Sequence, residues 1–225
     1  YPEITSIFGG EPLLHPRIYE VFDYVKKVWP DTTIRLITNG YLLSKAKIDK
    51  FFKNTPFEMQ VSVHRIDHEK IINNNIKKIL SQHSDWKIIK RNEPGDMEHH
   101  VYVWQRPGFK IWKSKFGEFV IPYQTEGNQL SPFKSNPAKA HAICGNPDVP
   151  ILYKNNLYKC APIANLMDLP NTKGYKYKPT DSYGNIDKFV QSIGKPESIC
   201  SMCPESRSHS INHYAKGEVY VKHLD

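Results

Sequence analysis

Four cysteines carry the most specific chemistry in this sequence, and none of them lies in its first 143 residues. A predicted hairpin separates Cys144 from Cys160 and would bring the two together, while Cys200 and Cys203 form a CxxC pair that can supply two thiolates to one metal. Four thiolates suit zinc and an iron–sulfur cluster equally well. Disulfides are the next alternative, but no secretory signal argues for an oxidising compartment, and unrelated free thiols are the last. The spacing therefore predicts one local metal site and leaves its metal open.

A second candidate site is the segment Gly9-Gly10-Glu11 in "SIFGGEPLLHP". The two glycines would let a ligand approach the backbone closely. Their exposed carbonyl groups could accept hydrogen bonds from an ammonium group, and Glu11 would add a negative charge for the same cation. This is the opposite of a phosphate cradle, which needs hydrogen-bond donors. The alternative is an ordinary turn between a strand and a helix.

The first 90 residues predict alternating strands and helices, which are typical of a parallel sheet. Helices are expected between the strands, the first from Pro16 to Pro30 and the later two capped by Ser44 and Asp67. The predicted strands are Ile4–Phe8, Thr33–Ile37, Phe57–Val63 and Trp86–Ile89. The carboxyl ends of parallel strands share one edge of a sheet, so Gly9–Glu11, Thr38–Gly40 and Ser62–His64 should meet there.

The rest of the chain has a different character. Residues 95 to 135 contain short predicted strands in place of the strand–helix alternation. The elements predicted there and beyond are strands His99–Trp104, Phe109–Trp112 and Phe119–Tyr123, a hairpin over Ile151–Cys160 turning at Asn155-Asn156, a helix over Asn185–Ile193 ended by Gly194, and a strand over Gly217–Leu224. We therefore predict two domains, residues 1–135 and 136–225.

Composition limits the possible partners. The formal net charge is +8, but the lysines are scattered over predicted helices and there is no Arg-rich run, so we do not expect a nucleic-acid partner. No apolar run reaches the roughly 20 residues that span a bilayer. Without a secretory signal either, we expect a cytoplasmic protein with no membrane partner.

The first part of the chain resembles the radical S-adenosylmethionine (SAM) enzymes. The segments "ITSIFGGEPLLHP", "IRLITNGYLL" and "MQVSVH" resemble the second, third and fourth strands of that family, in order and at similar spacing. The resemblance implies an α/β fold, a partial parallel (β/α)6-type barrel without its first strand. It also implies that Gly9, Gly10 and Glu11 hold the methionyl amino group of SAM, with Thr38, Asn39 and Ser62 along the rest of the cofactor.

The cysteine region resembles a Twitch domain, the shortened relative of the SPASM domain. The segments "CGNPDVPILYKNNLYKC" and "CSMC" match its order of a cysteine, a hairpin, a second cysteine and a later CxxC. The resemblance implies one auxiliary 4Fe-4S cluster bound by Cys144, Cys160, Cys200 and Cys203. A full SPASM domain would need further cysteines.

One departure from the family pattern concerns the CxxxCxxC loop, which binds the SAM-cleaving cluster. No cysteine precedes Cys144, and the chain starts at Tyr1 almost directly in a strand. We expect an internal fragment of a longer protein that does not cleave SAM by itself. A degenerate family member is the alternative.

The resemblance implies a radical SAM enzyme of oxidoreductase or transferase type. A 5′-deoxyadenosyl radical from SAM would take hydrogen from a small-molecule or peptide substrate, and an electron donor such as flavodoxin or ferredoxin would be needed. Tyr41, Arg65, Arg91 and Glu93 could face that substrate. His64 and His68 are expected at the rim, not on a metal. Two rivals are a non-catalytic zinc-binding α/β module, possibly on nucleic acid, and a protein that binds SAM without cleaving it.

Overall fold

A computed structural model describes residues 2–91, 100–115, 118–120, 124–126, 129–166, 168, 186–206 and 210–212. The described chain forms two compact units, mainly Tyr1–Glu118 and Phe119–Ile211. Within the described residues, no helix has both the length and the apolar character needed to cross a membrane.

The first unit is a mixed α/β structure with a largely parallel central sheet. Its elements are β1 (Ile4–Ile7), α1 (Ile18–Val28), β2 (Thr33–Thr38), α2 (Ile48–Phe51), β3 (Phe57–Val63), α3 (Glu69–Leu80), β4 (Lys87–Arg91), β5 (His100–Arg106) and β6 (Phe109–Lys115). The six strands lie in the order β1-β2-β3-β6-β5-β4, and the first four in that order are parallel. The three predicted strand–helix repeats at the start of the chain are therefore present.

The fourth predicted strand has a different position from the one expected. Trp86–Ile89 was predicted to continue the parallel repeat, but β4 is antiparallel to β5 at the edge of the sheet, and β6 takes the place beside β3. The turn at Pro107-Gly108, where Gly108 has a φ of +76°, folds β5 back onto β6. The two antiparallel strands depart from the repeat expected of a (β/α)6 barrel.

The core of the first unit lies between the sheet and the helices. Alternate residues of the parallel strands are fully buried on that face, as Leu36, Met59 and Ile111 show, because side chains of a strand alternate between the two faces of its sheet. Phe22 of α1 packs against Phe51 of α2, with ring centroids 4.8 Å apart. The core therefore fixes the register of β1, β2 and β3, and with it the positions of their carboxyl ends.

Two predicted helix caps are wrong. Ser44 lies inside a 3-10 turn over Leu43–Lys45, and α2 begins later, after Lys47, without a side-chain cap. Asp67 lies in another 3-10 turn, Ile66–His68, and bonds Arg65, while α3 begins at Glu69. In both places a 3-10 turn precedes the helix, so that the capping residue lies one turn too early.

The second unit contains short elements around the cysteines. They are β7 (Glu118–Val120, whose first residue belongs to the first unit), β8 (Gln124–Glu126), β9 (Gln129–Ser131), α4 (Pro137–Ala142), β10 (Ile151–Tyr153), β11 (Asn156–Tyr158), α5 (Ala161–Leu166), α6 (Ile186–Ser192) and β12 (Ser210–Asn212, whose last residue belongs to the first unit). Asn136 caps α4 through its side chain, and a 3-10 helix covers Ser198–Met202.

The predicted hairpin is present, but its turn lies one residue earlier than expected. Lys154 and Asn155 take the positive φ angles of 47° and 62°. Asn156 instead pairs with Tyr153 in the ladder, and its side-chain amide donates to the Lys154 carbonyl at 3.0 Å. The α6 helix ends as predicted before Gly194, whose φ is +75°. The predicted strand Gly217–Leu224 lies outside the described residues.

Candidate functional site

The Glu11 carboxylate joins the ends of β1 and β2. Its Oε1 atom accepts hydrogen bonds from the backbone N–H of Leu13 at 3.0 Å and from the Thr38 hydroxyl at 2.7 Å. Its Oε2 atom accepts from the backbone N–H of Asn39 at 2.8 Å. These bonds cap the 3-10 turn Pro12–Leu14 and fix the carboxylate in one orientation between two strand ends.

Thr38, Asn39 and Gly40 form the turn that presents this carboxylate. The Thr38 hydroxyl, which belongs to a residue only 2% exposed, donates to Glu11 and accepts from the Gly40 N–H at 3.1 Å. The Asn39 side-chain oxygen accepts from the Tyr41 N–H at 2.9 Å. Thr38 therefore positions Glu11 from within the protein, and Asn39 shapes the turn through its own side chain.

Sequence reasoning missed Asn75, which supports the same turn from helix α3. Its buried side-chain amide donates to the carbonyl of Gly40 at 3.0 Å and to that of Tyr41 at 3.3 Å. Asn75 lies on the apolar face of α3 beside Ile72 and Ile76. A polar residue within an apolar helix face was the sequence feature that could have identified it, because buried amides need partners.

A cavity of about 530 Å³ opens at these strand ends. Its volume lies within the range of small-molecule pockets. Its lining residues are Glu11, Leu14, Asn39, Tyr41, Leu42, Ser62, His64, Arg65, His68 and Ile72. The cavity thus brings together Glu11, Asn39 and Ser62 of the predicted site, with Ser62 only 4% exposed, while Thr38 is not among its lining residues.

Gly9 and Gly10 also fall outside the lining of the cavity, although they directly precede Glu11. Both have positive φ angles, 112° and 49°, and a Cβ atom built on either glycine would meet no atom within 4 Å. The two glycines therefore lie in open space next to Glu11, and their role toward a ligand stays a prediction.

The far wall of the cavity is basic and aromatic. Arg65 pairs with Asp67 through its Nε at 3.0 Å and its Nη2 at 2.6 Å. This hydrogen-bonded pair raises the pKa of Arg65 and lowers the pKa of Asp67. The rings of Tyr41 and His68 lie 5.1 Å apart. Of the predicted substrate-facing residues, Tyr41 and Arg65 line the cavity, while the Arg91 side chain and Glu93 lie outside the described part.

The four cysteines of the second unit lie on neighbouring segments. Cys144 follows α4, which packs against the 3-10 helix that contains Cys200. Cys160 lies at the start of α5, where its carbonyl accepts from the Ala164 N–H at 3.2 Å. The Cys203 N–H donates to the Cys200 carbonyl at 3.2 Å, which fixes the geometry of the CxxC turn.

Two of the thiols, those of Cys160 and Cys203, are half-buried beside one apolar cluster, formed by Tyr158, Ile163, Ala164 and Met202. Burial raises the pKa of the Cys160 thiol to about 11, and the neighbouring Cys144 and Cys200 raise it as well. Burial raises the pKa of Cys203 to about 12, with the other three cysteines acting in the same direction. All four thiols therefore lie within electrostatic reach of one another.

The spacing of these thiols differs from that of a single-ion site. Among the described residues, no three Cys, His, Asp or Glu side chains are placed to hold one metal ion. A zinc ion with Zn–S bonds of about 2.3 Å would draw its sulfurs to about 3.8 Å from one another. A cubane cluster distributes four cysteines over different irons and needs a wider set. Four thiolates are a donor set that either group can use.

One family model matches the first part of the chain. Residues 2–92 match the family model of the Radical SAM superfamily, whose members are enzymes that use SAM and a 4Fe-4S cluster. The matched segment contains Glu11, the Thr38-Asn39-Gly40 turn and Ser62. No curated protein matches the chain.

Proposed function

We propose that this chain is the SAM-binding and auxiliary-cluster part of a radical SAM enzyme. The observation that carries the proposal is the Glu11 carboxylate, held by three hydrogen bonds at the mouth of a cavity in the segment that matches the superfamily. A carboxylate fixed in this way is prepared for a cation, and SAM carries an ammonium group.

In this proposal the residues of the cavity bind and orient SAM. Glu11 and the open carbonyls of Gly9 and Gly10 accept hydrogen bonds from the methionyl ammonium group. Thr38 keeps Glu11 in place and does not itself touch SAM, which refines its predicted role. Asn39 and Ser62 line the path of the remainder of the molecule.

A reduced 4Fe-4S cluster beside bound SAM would supply one electron for its cleavage to methionine and a 5′-deoxyadenosyl radical, and that radical would remove a hydrogen atom from the substrate. These 225 residues contain no CxxxCxxC motif, and the proposal therefore requires ligands for that cluster that they do not supply. The protein's own contribution is to bind, orient and exclude side reactions. A small-molecule or peptide substrate and an electron donor such as flavodoxin or ferredoxin complete the proposal.

The second part of the proposal is one auxiliary 4Fe-4S cluster on Cys144, Cys160, Cys200 and Cys203. Its support is the placement of the four thiols on neighbouring segments of one unit, close enough for the others to raise the pKa of Cys160 and Cys203. Cys160 and Cys203 are half-buried beside an apolar cluster, which would partly shield such a group from water.

SAM binding tests the first part. Calorimetry on the 225-residue chain should detect SAM, and Glu11→Gln should weaken its affinity roughly tenfold or more, since a charge-assisted bond is worth about 1.5–3 kcal/mol. Glu20→Gln is the matched control, because Glu20 lies exposed on α1. Equal affinity for SAM in both variants would contradict the assignment of Glu11.

Iron loading tests the second part. Anaerobic reconstitution with iron and sulfide should give about four irons per chain and a broad brown absorbance. Cys200→Ala should lower both the iron content and the absorbance. Tight binding of zinc with no uptake of iron would instead support the rival zinc module.

A further inference from the structure

Lys159 is a buried lysine that directly precedes one of the proposed cluster ligands, Cys160. It is only 6% exposed, although lysine is among the residues least often buried. It follows β11 at the end of the hairpin and belongs to the same unit as the four cysteines. A charge that is buried at such a position needs a partner, and the partners of Lys159 indicate its role.

The Lys159 ammonium connects the two segments that carry the cysteines. It donates to the carbonyl of Ser192, the last residue of α6, at 3.1 Å and to the Glu197 carboxylate at 3.0 Å. Glu197 directly precedes the 3-10 helix, and its backbone carbonyl accepts from the Cys200 N–H at 2.9 Å. Lys159 thus links the segment of Cys160 to the segment of Cys200.

The two charges of this ion pair are unequally buried. The Glu197 side chain is 36% exposed, whereas that of Lys159 is 6% exposed. Water therefore screens the carboxylate more than the ammonium, and the positive end of the pair faces the interior. A buried ion pair is seldom more stabilising than apolar packing of equal volume, so its presence favours a role in the local charge.

Lys159 is the chain neighbour of Cys160, and its ammonium bonds Glu197, whose backbone carbonyl accepts from the Cys200 N–H. The buried charge therefore lies next to two of the four proposed cluster ligands along the chain.

We propose that Lys159 is a positioning and charge-compensating residue for the auxiliary cluster. It holds the Cys160 and Cys200 segments together and stabilises the negative charge that the thiolates bring to the cluster. This inference rests on the proposed cluster and adds to it a residue that no cysteine motif contains.

The positive charge of Lys159 should affect the reduction potential of the proposed cluster. When the cluster accepts one electron from an external reductant, it gains one negative charge and no bond is broken. A nearby buried cation stabilises the reduced form more than the oxidised form. Lys159 should therefore raise the reduction potential, and Glu197, as the partly screened anion, should lower it.

The experiment is a redox titration of the reconstituted 225-residue chain with dithionite, followed by electron paramagnetic resonance. Lys159→Met should favour the oxidised form at least tenfold, a potential lower by about 59 mV for one electron. Glu197→Gln keeps the shape and an acceptor oxygen but removes the anion, so it should shift the potential upward. Lys159→Arg should keep the wild-type value.

Lys154→Met is the matched control for loss of a lysine. Lys154 belongs to the same hairpin, but its side chain is 62% exposed and pairs with Asp168 at 2.7 Å on the surface. Its loss should leave both the potential and the iron content unchanged.

The outcomes separate this inference from the proposed function. No uptake of iron by the wild-type chain would overturn the cluster and this inference together. If every variant loads the cluster and has the same reduction potential as the wild-type chain, only the role of Lys159 would be overturned. Shifts of the same sign in Lys159→Met and Glu197→Gln would indicate structural disturbance and would also overturn it. If the Lys159→Met chain does not load iron, the reduction potential of the Glu197→Gln chain gives the test. An upward shift would support the inference, and an unchanged potential would overturn it.

Discussion

Gly40 shows how a single residue makes the Glu11 site possible. Its φ of +76° is unfavourable for residues with a side chain, and a Cβ atom there would lie 2.5 Å from Cγ1 of Val61. This close approach lets the turn rest on the core while its N–H reaches the Thr38 hydroxyl. The position of Glu11 therefore depends on a residue that contributes no side chain.

We expect Gly40→Ala to lower the free energy of unfolding by roughly 2–4 kcal/mol, the sum of the left-handed conformation and overpacking against Val61. Urea denaturation measures the effect. Gly10→Ala is the control, because its φ is also positive but its Cβ atom would meet open space, and it should cost about 1 kcal/mol. Equal losses in the two variants would show that Val61 does not restrict the turn.

The candidate site was only partly predictable from single residues. Glycines before an acid at a strand end predicted a cation site, and the structure places Glu11, Asn39 and Ser62 in the lining of one cavity. That Thr38 points its hydroxyl at Glu11 could not be predicted, because the contact depends on the register between β1 and β2. Lys159 gave no sequence signal, since its burial follows from tertiary packing.

At the scale of elements, helix α3 holds the strand-end turn in place through one amide. Asn75 donates to two carbonyls of the turn, and its neighbours Ile72 and Ile76 anchor the helix in the core. The site is thus joined to a helix that starts on the other side of the cavity, where His68 lies.

We expect Asn75→Ala to destabilise the first unit by about 1–3 kcal/mol, because it removes the bond to the Tyr41 carbonyl and leaves the buried Gly40 carbonyl with only the long bond from the Leu43 N–H at 3.5 Å. SAM affinity should fall with it, since the turn that carries Asn39 loses its support. Urea denaturation and calorimetry measure the two effects. Asn74→Ala changes the exposed neighbour on the same helix and should leave both values unchanged. A loss of stability without any loss of affinity would separate Asn75 from the site.

Elements were predicted well where local pattern and tertiary pairing agree. β3 has its predicted limits, and β1, β2 and α1 agree with theirs to within a residue or two. The direction of β4 was not predictable, because a short apolar run fits a parallel or an antiparallel neighbour equally well. The hairpin turn lies one residue earlier than predicted, at Lys154 and Asn155. Lysine has no turn preference, so the sequence did not indicate that Lys154 takes a positive φ angle.

At the scale of the whole molecule, the described residues of each unit form an apolar cluster of their own. The cluster around Phe22, Phe51 and Phe57 supports the sheet of the first unit. The second, around Ile163 and Met202, is much smaller. A small core seldom stabilises a unit without a metal or disulfide, and the four cysteines are unpaired by disulfides. The second unit therefore has the most to gain from a bound cluster.

The difference in size between the two apolar clusters predicts that iron stabilises the second unit more than the first. Because metal binding free energy adds to folding free energy, reconstitution should slow amide hydrogen exchange in α4 and in Ser198–Met202 roughly tenfold or more, a gain of about 1.4 kcal/mol or above. Exchange in β2 and β3, which belong to the larger core, should stay as it was. Hydrogen exchange with mass spectrometry measures both regions in one sample. The Cys200→Ala chain, treated identically, should show little protection, and equal protection in both units would mean that iron acts on the chain as a whole and not through the four cysteines.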